Sequence, residues 1–167
     1  MQPVSIVHTK TYLPENIVSN DFFRSSEDDE TKLHPMFKRV KYRRHVSDAE
    51  TPVFMLVNTL IALMEELNLN AQTNIDMILT NVSVPNELFM GSGAVVAKQI
   101  GVTPKYVFDF HHSGCVSFLT MLDLAKTYLE SGRAKNAIIC NVQNSGGQIF
   151  NQPDIRTKPH ACVPGDG

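Results

Sequence analysis

Tryptophan is absent from this sequence, and cysteine occurs only three times, as Cys115, Cys140 and Cys162. An odd number of cysteines without a CxxC pair indicates neither a disulfide framework nor a zinc ribbon, so a reducing cytoplasm is the expected compartment. No apolar run approaches the roughly 18 residues that a membrane-spanning helix requires. The N-terminus also lacks the basic stretch and apolar run of a signal peptide. We therefore expect a cytoplasmic protein that makes no use of a membrane.

An excess of charge of either sign is lacking as well. The 167 residues include 15 basic and 17 acidic ones, 43% are hydrophobic and 19% are charged. This balance is typical of one globular domain with a real core and excludes a disordered chain. It also leaves no electrostatic footprint for nucleic acid.

Charge is concentrated in one place only. Residues 38–44 carry five cations, among them Arg43 and Arg44, and an acidic run at 27–30 lies just upstream. One interpretation is a solvated surface whose charges compensate each other. The other is a docking patch for an anionic partner such as an acyl-carrier protein, with Arg43 and Arg44 as contacts.

Hydrophobic periodicity divides the chain into alternating strands and helices. Polar, poorly periodic residues 20–50 predict an irregular excursion, whereas Thr51-Pro52 is typical of a helix start. The predicted strands cover 4–12, 75–82, 106–110 and 137–142, and the predicted helices cover 51 to about 68, 94–100 and 116–129. This order predicts an α/β domain with a mixed or parallel sheet.

The third predicted helix has the widest apolar face. We expect five residues on its inward side and two more that widen this side, so the helix should be largely buried. The inward residues are Phe118, Leu119, Leu122, Ala125 and Leu129, and the widening ones are Met121 and Leu124.

Cys115 lies where the third predicted strand turns into this helix. Gly114 permits a sharp turn and leaves room for a substrate. The free N–H groups and the positive end of the helix dipole favour a thiolate, which is the species that attacks a thioester. The alternative is that Cys115 is a small buried hydrophobic residue, as most free cysteines are.

The other candidates for chemistry are less favoured. His111 or His112 could act as a general base toward Cys115, but adjacent strand residues point to opposite faces, so at most one faces the thiol. Cys140 lies in an apolar strand and is expected in the core. Cys162 lies in a loop with no helix to activate it, and no metal-ligand spacing is recognised.

Several segments, in order, resemble the ketoacyl-acyl-carrier-protein synthase III branch of the thiolase superfamily. No single motif carries the resemblance. The segments are Tyr12-Leu13-Pro14-Glu15, Arg44-His45 with Glu50-Thr51, Phe89 to Ala94 with Ile100-Gly101, Phe108-Asp109 with Gly114 to Phe118, Ser131 to Lys135, and Gly165-Asp166-Gly167.

The resemblance implies one half of a duplicated, layered α/β/α/β/α fold, with residues 1–167 as the N-terminal half-domain. It implies that an acyl group passes from a coenzyme A or carrier-protein thioester to Cys115, with no cofactor. The acyl group then goes to a malonyl-type thioester, as in fatty-acid or polyketide synthesis, or to another acceptor. Phe89 matches a residue that lines the acyl pocket at a dimer interface, although plain core packing is the alternative. Gly114 belongs to the substrate-binding elbow.

The sequence departs from the family pattern in three ways. Thr31 and Pro35 stand where the family has a tryptophan and an arginine for coenzyme A, which favours a carrier protein as donor. The segment from Asp109 to Cys115 is one residue longer, and His111 and His112 replace small residues.

The histidine and asparagine of condensation belong to a C-terminal half that this chain does not contain. We therefore expect that half, on the same or another chain, as a partner in a homodimer of the completed fold. A non-catalytic partner subunit of a heteromeric complex is the alternative function.

Overall fold

The computed structural model describes residues 3–19, 22, 40–69, 75–87, 89–111, 114–150 and 165–167. Its elements, in chain order, are β1 (Asn16–Ser19), β2 (Tyr42–His45), α1 (Pro52–Glu66), β3 (Met77–Val82), α2 (Ser92–Gln99), β4 (Tyr106–Phe110), a 3-10 turn (Gly114–Val116), α3 (Ser117–Glu130), β5 (Ala137–Val142) and a π-helical turn (Gly146–Phe150). They form two compact units. The first comprises Met1–Tyr12 and Pro52–Val142, and the second comprises Leu13–Thr51 and Gln143–Gly167.

A parallel three-stranded sheet with the order β4-β3-β5 forms the centre of the first unit. Every residue of β3 is buried, as expected for a central strand covered on both faces. The prediction of strands at 106–110 and 137–142 is confirmed, and β3 begins two residues later than predicted. The α/β class with a parallel sheet is confirmed as well.

Helices cover both faces of this sheet. One face packs on α3 through an apolar cluster, and the other packs on α1 and α2. The buried residues of this cluster are Met77, Leu79, Met121, Ala125 and Ala134. No helix in the described part of the chain reaches the length and hydrophobicity that a bilayer span requires.

The face predicted for α3 is correct at Ala125 and Met121, which are buried, but its centre is off by about a quarter turn, and the helix is not largely buried. Ser117, Met121 and Ala125 are its buried residues, whereas Phe118 and Leu119 are exposed. The polar residues Thr120, Asp123, Lys126 and Thr127 are exposed on the side opposite the buried stripe, whereas the prediction counted Phe118 and Leu119 on the buried side. The buried stripe at four-residue spacing begins with a serine, which the hydrophobic pattern does not count.

The strand predicted at 4–12 is also wrong. Residues 3–14 have no regular structure, and Ile6 and Val7 are exposed. Alternating β-branched residues form a strand only beside an edge that pairs with them, and no described strand pairs with this segment. It is held instead by side chains, since His8 Nε2 lies 2.7 Å from Glu66 Oε2 and Lys10 also contacts Glu66.

The second unit contains an antiparallel pair of strands, β1 and β2, with Ile17 opposite Arg44. Strand β2 lies within 20–50, which the sequence analysis expected to be irregular; residues 20–21 and 23–39 of that segment lie outside the described residues.

One buried carboxylate ties this second unit together. Asp166 Oδ2 accepts hydrogen bonds from the Val46 N–H at 2.9 Å and the Gly147 N–H at 2.6 Å, and Oδ1 accepts one from the Gly146 N–H at 2.7 Å. The Asp166 N–H in turn donates to the Arg44 carbonyl at 2.8 Å. Asp166 therefore joins the end of β2 to the π-helical turn and to the glycine pair at 165–167.

Candidate active site

Cys115 lies in the middle of the 3-10 turn that joins β4 to α3, and it is exposed. Gly114 has a φ of +56°, which a residue with a side chain rarely adopts, and a Cβ placed there would meet no atom within 4 Å. The turn is braced from within, because the Ser117 hydroxyl donates to the Gly114 carbonyl at 2.8 Å. Exposure of Cys115 contradicts the interpretation of this residue as a small buried hydrophobic one.

Cys140 has the opposite environment. It is buried in β5, and burial together with the nearby Asp109 carboxylate raises the pKa of its thiol to about 12. A thiol with that pKa stays protonated at neutral pH, and a protonated thiol is a poor nucleophile. The expectation that Cys140 belongs to the core is confirmed.

Asp109 is a site residue that the sequence analysis missed. Its Oδ1 accepts a hydrogen bond from the Gly93 N–H at 2.8 Å and another from the Thr80 hydroxyl. Gly91, the residue before α2, provides no side-chain cap, so the carboxylate from β4 takes that role. A Cβ on Gly91 would overlap the Asp109 carboxyl. The signal in the sequence was the Gly-Ser-Gly before a helix together with one acid in an apolar strand.

Asp109 thereby connects the two candidate loops. It is six residues before Cys115, and it fixes the start of α2, which directly follows the loop that carries Phe89 and Met90. The Phe89 side chain is 98% exposed, so core packing within this chain is contradicted for it. Its role in an acyl pocket stays a prediction.

Apolar surface surrounds the elbow as well. Val116, Phe118 and Leu119 follow Cys115 directly, and all three are exposed. Large apolar side chains at neighbouring positions are unusual on a free surface and mark a place where a ligand or another polypeptide packs.

Arg43 and Arg44 belong to the second unit. Arg43 is only 7% exposed, and the Arg44 Nη1 donates to the Pro14 carbonyl at 2.7 Å. Lys41, in the same basic run, is exposed. Burial of Arg43 favours a structural role for its guanidinium, so the exposed Lys41 is the better candidate for a surface contact, and carrier docking by Arg43 and Arg44 stays a prediction.

The remaining candidates from the sequence are His111, His112 and Cys162. His111 is exposed, whereas His112 and Cys162 lie outside the described residues. Within the part of the chain that the structure describes, no three His, Cys, Asp or Glu side chains come together in a way that could hold a metal ion.

Comparison with known proteins gives a consistent family of relatives, although no protein-family model matches the chain. Beta-ketoacyl-[acyl-carrier-protein] synthase III of Aquifex aeolicus is 26% identical over 97% of this chain and 50% of the relative. The protein of the same name from Neisseria gonorrhoeae is 27% identical over 100% of this chain and 51% of its own length. The chain thus spans about half the length of the curated relatives it matches.

Solved structures agree with these relatives. The crystal structure of 3-oxoacyl-[acyl-carrier-protein] synthase III from Aquifex aeolicus matches with a TM-score of 0.70 at 25% identity, over 81% of this chain and 43% of that one. The synthase III structure from Thermus thermophilus matches with a TM-score of 0.74 at 20% identity, over 94% and 47% of the two chains. The thiolase-like fold expected from the sequence, as half of a duplicated architecture, is therefore confirmed.

Proposed function

Because this chain is a ketoacyl-acyl-carrier-protein synthase III-like protein of the thiolase superfamily, we propose that it supplies the nucleophilic cysteine of a condensing acyltransferase. The observation that carries the proposal is the placement of Cys115. It is an exposed thiol at the carboxyl end of a parallel strand, directly before an apolar helix. Open parallel sheets bind their ligands at the carboxyl ends of the strands, and the N-termini of helices stabilise anions.

In the proposed reaction the Cys115 thiolate attacks the carbonyl carbon of an acyl thioester. A new C–S bond forms at Cys115 Sγ, the bond to the carrier sulfur breaks, and the carrier leaves as a thiolate that takes up a proton. Backbone N–H groups at the start of α3 stabilise the negative charge that develops. Gly114 contributes an unobstructed approach to the thiol, since nothing lies within 4 Å of where its Cβ would be.

The acyl group then moves to a malonyl-type or other acceptor, as in the synthesis of fatty acids or polyketides in the cytoplasm. We propose an acyl-carrier protein as the preferred donor, because the sequence has no tryptophan to stack on coenzyme A. We further propose that Phe89 lines the acyl pocket from a second copy in a dimer. Its full exposure within this chain is consistent with a partner that covers it.

Condensation requires protein groups that stabilise the negative charge developing on the second substrate. We propose that these come from a polypeptide corresponding to the other half of the relatives, on the same or another chain. The exposed apolar residues that follow Cys115 are consistent with such a contact.

Intact-mass measurement after incubation with an acyl thioester tests the proposal. With the proposed second half present, the parent protein should gain one acyl mass and the Cys115→Ala variant should gain none. The Cys140→Ala variant should gain one acyl mass, as the parent does. Peptide mapping should place the acyl group on Cys115. Acylation that persists in Cys115→Ala, or a parent protein that gains no acyl mass, would contradict the proposal, and the second result would favour the non-catalytic partner subunit.

A further inference from the structure

The side chain of Ser117 closes the turn that carries Cys115. Ser117 is the first residue of α3, only 1% of it is exposed, and it stands two residues after Cys115. A buried hydroxyl costs free energy unless it is hydrogen-bonded. The Ser117 hydroxyl donates to the Gly114 carbonyl oxygen at 2.8 Å, so this one bond joins the two ends of the turn, with Cys115 between them.

This bond fixes the orientation of the peptide group between Gly114 and Cys115. The Gly114 carbonyl oxygen lies against a hydroxyl that is out of water, so it faces the buried side of the turn. The peptide is trans, and in a trans peptide the N–H points opposite to the C=O. The Cys115 N–H therefore points away from the buried side, toward the surface on which Cys115 is exposed.

Gly114 by itself would leave this peptide group free to rotate. A glycine can adopt more backbone conformations than any other residue, and no atom lies within 4 Å of where a Cβ on Gly114 would be. Neighbouring side chains thus place no restraint on that side of the residue. The hydrogen bond from Ser117 supplies a restraint that the glycine itself lacks.

The hydroxyl of Ser117 acts on the turn and not on the helix that follows it. A serine at the N-cap position commonly accepts a hydrogen bond from a backbone N–H of the first helical turn. The N-cap residue of α3 is Val116, which provides no side-chain cap, and Ser117 donates backward to a carbonyl of the preceding turn. The first N–H groups of α3 are therefore left uncapped, beside an N–H of Cys115 that Ser117 holds in one direction.

We propose that Ser117 is a positioning residue for acyl transfer to Cys115. Through its bond to the Gly114 carbonyl, it directs the Cys115 N–H toward the thioester oxygen on which negative charge develops when the thiolate attacks. The inference rests on the proposed function. It predicts that Ser117 affects acylation of Cys115 and leaves alkylation unaffected, because a thiolate that displaces iodide from iodoacetamide places no new charge on an oxygen.

A matched pair of variants tests the inference. Ser117→Thr and Ser117→Val introduce side chains of the same shape, of which only threonine has a hydroxyl. With the proposed second half present, each variant is incubated with acetyl and with octanoyl acyl-carrier protein, and the rate of mass gain at Cys115 is measured over a range of donor concentrations. The limiting rate of Ser117→Val should be about tenfold below that of Ser117→Thr. The donor concentration that gives half the limiting rate should differ by less than about twofold.

Alkylation separates a loss of positioning from damage to the fold. Limiting iodoacetamide should modify Cys115 at rates within about twofold of each other in the two variants, and the buried Cys140 should stay protected in both. Thr127→Val is the control, since it removes a similar hydrogen bond on the same helix, from Thr127 Oγ1 to the Asp123 carbonyl at 2.9 Å. This control should be acylated at the parental rate.

A further variant covers the case in which the larger side chains do not fit. Ser117→Ala adds no atom to the buried site, and it should be acylated about tenfold more slowly than the parent while it is alkylated at the parental rate. Equal acylation of Ser117→Ala and the parent, or alkylation slowed as much as acylation, would overturn the inference but leave the proposed function intact. Absence of acylation at Cys115 in the parent would overturn both.

Discussion

Cys140 and Asp109 face the same side of the parallel sheet, each in register with Thr80 on the strand between them. This arrangement places the Asp109 carboxylate on the same side of the sheet as a thiol that is already buried. Burial and the negative charge of Asp109 both raise the pKa of Cys140. Cys115, only 25 residues earlier, is exposed on a turn. The two described cysteines therefore have opposite chemical characters, and this difference can be measured directly.

Alkylation should separate these two cysteines. With a limiting amount of iodoacetamide near neutral pH, in a Cys162→Ser background, Cys115 should be modified and Cys140 should stay protected until the protein is denatured. The reason is that only an accessible thiolate reacts. Peptide mapping by mass spectrometry reads the result. Labelling of Cys140 in the folded protein at a rate similar to that of Cys115 would contradict the environments described above.

Alkaline pH should destabilise the protein partly through Cys140. The pKa of this thiol rises from 9.0 to about 12 on folding, so between these values the unfolded chain loses a proton that the folded chain keeps. The corresponding stability is fully present below pH 9 and is lost as pH rises toward 12, at about 1.4 kcal/mol for each pH unit.

The variant Cys140→Ala tests this linkage. It should have a smaller slope of unfolding free energy against pH between 9 and 11, whatever its stability at neutral pH. Urea denaturation at several pH values gives the measurement. Identical slopes for Cys140→Ala and the parent would mean that Cys140 does not keep its proton.

Removal of the Asp109 carboxylate should loosen the start of α2. Asp109→Ala leaves the Gly93 N–H and the Thr80 hydroxyl without their acceptor, which should cost about 1–3 kcal/mol of unfolding free energy. Asp109→Asn keeps one acceptor and should cost less. Asp123→Ala on the exposed side of α3 is the matched control, with an expected effect within about 0.5 kcal/mol. Equal midpoints for Asp109→Ala and Asp123→Ala would contradict the capping role.

Loss of the Asp166 carboxylate should disturb the second unit more than loss of the Asp109 carboxylate disturbs the first. Asp166→Ala removes the acceptor of three backbone N–H groups, those of Val46, Gly146 and Gly147. Hydrogen exchange at these amides should therefore accelerate by more than about tenfold, whereas Asp48→Ala, at an exposed position, should leave it unchanged. Unaltered exchange in Asp166→Ala would show that other groups hold this part of the unit.

The apolar surface beside Cys115 should cause residues 1–167 to associate when no other polypeptide is present. Residues 1–167 alone, with a mass of 18.6 kDa, should sediment as larger species at micromolar concentration, because Val116, Phe118 and Leu119 are exposed. Replacement of Phe118 and Leu119 by serine should shift the distribution toward monomer. A compact monomer with a sharp thermal transition in the unmodified segment would contradict this expectation.

Local patterns predicted most of the first unit from the sequence. The strands at 106–110 and 137–142 and the helix start at Pro52 follow from apolar runs, β-branched residues and a proline at the first helical position. These signals act over a few residues and do not depend on what lies elsewhere in the chain. The elbow could be predicted for the same reason, because a glycine between a strand and an apolar helix is a local feature.

Features that depend on distant partners could not be predicted. The 4–12 segment has a strand-like pattern but no described edge to pair with, and the first turn of α3 carries two large apolar residues, Phe118 and Leu119, that the structure leaves exposed. The Asp109 cap joins residues that are far apart in sequence, and the pairing of β1 with β2 joins segments separated by polar chain. Long-range contacts of this kind leave no periodic signal.

The absence of a side chain at Gly91 has a consequence for how this protein can vary. The space that a Cβ would need is already filled by the Asp109 carboxyl group, so a larger residue at position 91 requires a shorter one at position 109. Among divergent sequences that keep this structure, we expect a larger residue at position 91 to occur together with a shorter one at position 109. A substitution at Gly91 that is deleterious by itself should become tolerable when Asp109 is shortened first. The change at position 109 should therefore precede the change at position 91.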